Sequence, residues 1–141
     1  MPTATALDAV TTLLAQHLGA PVAVVRHLPA RPSATQGTVL WPWRIEDGAS
    51  RHAMLHPAAD GARAPDTGNV VIHALLLPAS LAELDAAREA LHAQPVMAAG
   101  GATLQLLVDV LPADALCALF TAARAPLQLA LPVQVRVVPR T

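Results

Sequence analysis

The stretch NVVIHALLLPASLAELDAAREALHAQPVM, Asn69–Met97, holds a strand, a tight turn and a helix in immediate succession. Val70–Leu77 is apolar except for His73. A short, apolar run of this kind suits a central strand covered on both faces. Pro78 stops it. Ser80-Leu81-Ala82-Glu83 then reads as a capping box: the serine hydroxyl accepts from a free N–H of the first turn, and the glutamate reaches back to the cap's own N–H. Leu81, Leu84, Arg88 and Leu91 recur at helical steps, which predicts one face bearing three leucines. Pro95 ends the helix and pushes Gln94 towards an extended conformation.

On the N-terminal side, Thr5–Leu18 reads as a helix opened by a capping-box-like Thr5-Ala6-Leu7-Asp8. Leu7, Val10, Leu14 and Leu18 mark its apolar face, with Leu13 beside them. Gly19 suits the position just past the helix, and Pro21 prevents its continuation. Val22–Leu28 reads as a strand closed by Pro29 and Pro32. Thr38–Glu46 (TVLWPWRIE) reads as the next strand. Pro42 has no N–H for a ladder, so this strand lies at an edge or carries a bulge. Trp41 and Trp43, two residues apart, share one face. Gly48–Gly68 has no clean period and is long for a connection, so it is expected to be either mobile or used for contacts.

On the C-terminal side, Ala98–Gly101 reads as a flexible connection and Thr103–Leu111 as a strand. Pro112 fits the first position of a third helix, with Asp114 in its first turn favourable to the helix dipole. Leu116, Leu119, Phe120 and Ala123 form its inner face. Leu127–Val137 alternates, with Leu127, Leu129, Leu131, Val133, Val135 and Val137 on one side and Gln134 and Arg136 on the other. Pro132 argues for an edge position there. The predicted order is α-β-β-β-α-β-α-β. This is an α/β (α+β) fold with a single mixed sheet and helices packed on it.

At 141 residues the chain is expected to be one domain, residues 1–141. Its 54% apolar content is inflated by Ala, which buries little area per residue. The longest apolar run, Ala115–Phe120, is far shorter than the ~20 residues of a membrane helix. With no signal-like start, a soluble, non-exported chain is expected. One cysteine, Cys117, leaves no internal disulfide and no thiolate metal cage. All nine basic residues are Arg, scattered along the chain, and the net charge is −1. Nothing there suggests a nucleic-acid face. So apolar and weakly charged a chain is relieved by permanent assembly with partners.

Catalytic patterns are weak. His52, His56 and Asp60 are four apart, but Pro57 and Gly61 interrupt any helix that would align them. His73 reads as a satisfied core or interface histidine rather than a catalytic base, and Cys117 as a small buried hydrophobe. Gly100-Gly101 lacks the Lys and Ser/Thr of a phosphate loop. Glu83, Asp85 and Glu89 are a helix's polar face. Trp41 and Trp43 read as core, ligand platform or interface anchor. No catalytic, cofactor-binding or metal-binding set emerges.

The runs Ile72–Met97, Leu104–Phe120 and Leu127–Pro139 together resemble the cap, or tail-terminator, proteins of contractile injection systems. These are the phage-tail-like particles of the antifeeding-prophage and Photorhabdus-virulence-cassette kind. The resemblance lies in a mostly apolar strand followed by a helix ending in Leu91-His92-x-x-Pro95-Val96. A strand, a short helix carrying Phe120 and a final strand complete it. Val39, Leu40, Trp41, Trp43, Arg44 and Ile45 resemble the family's aliphatic-aromatic strand. The resemblance implies a non-catalytic homohexameric ring that ends the inner tube and sheath. Its partners would be further copies of itself and the tube and sheath proteins, assembled in the cytoplasm, with no cofactor and no membrane insertion. Residues expected at its contacts are Trp41, Trp43, Arg44, Arg51, Leu127, Leu129, Gln134 and Arg136. An adaptor, baseplate component or assembly chaperone of the same particle is the alternative, and a small enzyme using His73 or Cys117 a third.

Overall fold

The computed structural model describes residues 2–28, 37–47 and 69–139. Arg51, the histidines His52 and His56 with Asp60, and the connection 48–68 lie outside the described residues. Helix α1 is Pro2–Leu18, and strands β1 and β2 are Val22–Val24 and Thr38–Asp47. Strand β3, Val70–Leu77, leads into α2, Leu81–Ala93. Strands β4, Val96–Ala99, and β5, Ala102–Val108, precede α3, Ala113–Ala122, and β6, Leu131–Pro139. One six-stranded sheet runs in the order β1-β2-β3-β6-β5-β4. The β1–β2 pair is parallel and the other four pairs are antiparallel.

The Asn69–Met97 reading holds in outline. β3 is central, and its alternate residues enter two cores. Ile72, Ala74 and Leu76 pack with α1 and α2, while Leu75 and Leu77 pack with Phe120 of α3. Ser80 caps α2, its hydroxyl accepting from the Glu83 N–H at 3.2 Å. Gln94 ends the helix at φ −135°, its N–H donating to the Ala90 carbonyl. The leucine face of α2 holds in part: Leu91 is buried and Leu84 packs against the core, and the departure is at the first turn. Ala87, Ala90 and Leu91 are buried, whereas Leu81 is 68% exposed. Leu81, the first residue of α2, faces solvent, and the small residues Ala87 and Ala90 take up the contact with the core.

Other elements differ from the sequence reading. α1 begins at Pro2, so Thr5 lies within the helix rather than capping it. Gly19 takes φ +69° and donates to the Ala15 carbonyl, as expected of a residue just past a helix. The strand expected over 22–28 shrinks to Val22–Val24, and Leu28 instead plugs the α3-side core. β2 carries a register shift between Pro42 and Arg44, the bulge that Pro42 suggested. Val96–Ala99 is an additional strand, taking in Ala98 and Ala99 of the connection expected over Ala98–Gly101. It forms a hairpin with β5 through Gly100-Gly101, with Gly100 at φ +57° as a two-residue turn with glycine first requires.

The largest correction concerns β6. It begins at Leu131, not Leu127, and lies between β3 and β5 rather than at an edge. Pro132 is tolerated there because the last β5–β6 register pair is Val108–Val133. Beyond it the Pro132 carbonyl accepts from Asp109 at 2.9 Å, and no further ladder donor is needed. Leu127 and Leu129 precede the strand and are 63% and 52% exposed. Cys117, expected to be buried, is exposed on α3.

Candidate assembly surface

Among the described residues, the two faces of the sheet are covered unequally. α1 and α2 cover one face along its length, over Leu40, Ile72, Leu104, Leu106 and the buried side of β6. On the other face α3 covers the end near Leu75 and Leu77. Beyond α3, the register lines up Glu46, Val71, Arg136, Gln105 and Val96 across five strands. Arg44, His73, Gln134 and Leu107 form the adjacent row. Arg44, Gln134 and Arg136, expected at contacts, therefore share one face of the sheet. Trp43 sits at the bulge beside them.

A small polar cluster occupies this face. The Arg44 guanidinium lies 3.1 Å from the Glu46 carboxylate, and both side chains are substantially exposed. A surface pair of this kind contributes little to stability. His73 is largely buried, with its ring 5.5 Å from the Trp43 ring and tilted against it. Its Nε2 lies 3.3 Å from Glu46 Oε1, close enough for electrostatic contact but without a hydrogen bond; its Nδ1 is 3.9 Å from Asp109 Oδ2. Asp109 Oδ1 accepts from the Val110 N–H at 2.8 Å. Among the described residues, no set of three His, Cys, Asp or Glu side chains is placed to hold a metal ion.

Trp41 and Trp43 lie on the α3 side of the sheet, as their spacing indicates, and both pack at the rim of its core. They form the floor of a groove of about 350 Å³ with Leu28 and Leu119, and Arg26 and His27 stand at its edge. The Trp41 indole N–H donates to the Arg26 carbonyl at 3.2 Å, tying the segment after β1 to β2. The groove brings Arg26 and His27 to the tryptophans. Sequence reading missed that pairing, because only the parallel β1–β2 register places them side by side. Leu127 and Leu129 lie apart from the polar rows, in the connection between α3 and β6.

No protein-family model matches the sequence, and no curated protein matches it. A solved structure does match: the sheath/tube terminator, in its extended state, of PVC, an extracellular contractile injection system. The two superpose at a TM-score of 0.61 with 17% identity over 99% of this chain. The fold is terminator-like. The chain spans 56% of the length of that protein. At this identity the likeness is one of architecture: a single mixed sheet with helices on it. Among the described residues, no helix is long and apolar enough to cross a membrane.

Proposed function

We propose that this chain terminates a phage-tail-like contractile injection system. In this reading six copies form a ring that ends the inner tube and sheath and sets the particle's length. The observation that carries it is the terminator-like fold extending over 99% of the chain. The composition supports it too, since a weakly charged, apolar chain is suited to permanent assembly. A ring needs head-to-tail contacts that close. This sheet has two different flanks, β1–β2 and β5–β4, that such contacts can use. The partners are further copies of the chain and the tube and sheath proteins, and its place is at the particle's end. Its role is structural rather than catalytic.

The test is to purify particles made with and without this protein and to measure their lengths by electron microscopy. Loss of length control, with labelled protein at the end opposite the baseplate, is expected. Sealed particles of normal length without it would sink the reading. Label at the baseplate would favour an adaptor.

A further inference from the structure

The geometry points to a copy-to-copy contact in which Leu81 of α2 from one chain enters the Trp41–Trp43 groove of the next. This deepens the terminator reading and rests on it for the ring, but it is argued from this chain's own surfaces.

The groove has an apolar floor of Trp41, Trp43, Leu28 and Leu119. Its charged border is basic. Arg26 and His27 line it, both exposed, and no carboxylate is among its described lining residues. Its occupant should therefore present an apolar knob flanked by carboxylates. The exposed side of α2 is such a surface. Leu81 projects at 68% exposure, with Asp85 and Glu89 following at four-residue steps along the same stripe, both exposed. Arg88 stands on the flank of that stripe and leaves its sign acidic.

The two surfaces also lie where a head-to-tail contact needs them. α2 packs on β5, on the sheet face that also carries α1. The groove is built on β2 and α3, on the opposite face and towards the opposite flank. A knob and a groove at opposite flanks of one molecule repeat from copy to copy and close into a ring when the rotation permits. Buried aromatic and aliphatic anchors of this kind carry most of an interface's affinity.

Both tryptophans of the chain line the groove, so intrinsic fluorescence reads its occupancy. In a dilution series of the whole protein, sedimentation velocity should show self-association, and Trp emission should shift with it. Leu81→Glu and Arg26→Glu change exposed side chains and should keep the wild-type circular dichroism. Each should weaken association by at least about tenfold. Mixed together, the two variants should form a one-to-one dimer that grows no further, because one supplies an intact knob and the other an intact groove. Wild-type protein that stays monomeric, Leu81→Glu that associates like wild type, or variants that do not pair when mixed would each overturn the contact. Particles whose length control survives Leu81→Glu would overturn it while leaving the terminator reading standing.

Discussion

His73 shows how a residue's neighbours decide its role. It is the polar break in the apolar run Val70–Leu77, and β3 places it on the sheet face beside the α3 core. Trp43 leans over the ring, Glu46 and Asp109 approach its two nitrogens, and the buried Nε2 has no hydrogen-bond partner. A buried polar atom left unpaired costs roughly 1–3 kcal/mol, so the ring is held by packing more than by hydrogen bonding. His73→Leu should therefore unfold within ~1 kcal/mol of wild type or be more stable. His73→Ala, which leaves space under Trp43, should cost roughly 2 kcal/mol. Urea midpoints compare the two, and a leucine variant less stable than the alanine variant would refute the packing account. The sequence marked His73 as a satisfied core or interface histidine; the ring is largely buried, but its Nε2 is left unsatisfied. Its carboxylate neighbours were not legible, because they arrive from β2 and from beyond β5, and a bulge and a two-strand offset place them. Trp41 and Trp43 were legible, since a two-residue step on a strand fixes a shared face.

Individual elements divide by whether a proline or a small residue misled the reading. Pro132 made β6 look like an edge, yet its missing N–H falls just past the last β5–β6 register pair, where a proline costs the sheet nothing. With β3 on one side and β5 on the other, a proline inside β6 now reports on folding rather than on assembly. Val135→Pro should cost ~3 kcal/mol or more and yield unfolded chain. The end strand on the β5 side is instead β4, missed because Val96–Ala99 is small and rich in Ala, with no strong strand former after Val96. The Leu106 N–H donates to the Pro95 carbonyl at 2.7 Å. Bonded pairs alternate along antiparallel strands, so Met97 and Ala99 face β5 while Val96 and Ala98 turn their backbone groups away. Ala98→Pro should then keep the hairpin, and Met97→Pro should lose roughly 3 kcal/mol. Thermal melts distinguish them, and equal loss in both would show that the pairing has another register. In α2 the departure is at the first turn. Leu81 faces solvent there, and the small residues Ala87 and Ala90 take up the contact with the core.

At the scale of the molecule, the sheet shared by the two cores matters more than either core. β3 contributes Ile72, Ala74 and Leu76 to the core under α1 and α2, and Leu75 and Leu77 to the core under α3. Neither layer can separate from the sheet without exposing a strand that the other needs. The order of elements and the central place of β3 were legible because apolar periodicity records burial. Which strands lie at the flanks was not, since that depends on which neighbour each strand finds. Shared strands predict one cooperative transition. Leu14, fully buried in the α1 side, makes the test, because both tryptophans lie on the opposite side of the sheet. Leu14→Ala should destabilise by roughly 2–5 kcal/mol. It should lower the urea midpoint read by Trp emission as much as the midpoint read by far-ultraviolet circular dichroism. A dichroism midpoint that falls while the Trp midpoint stays would mean that the α3 layer and its groove hold together without α1. The sheet would then be two units joined at β3, not one.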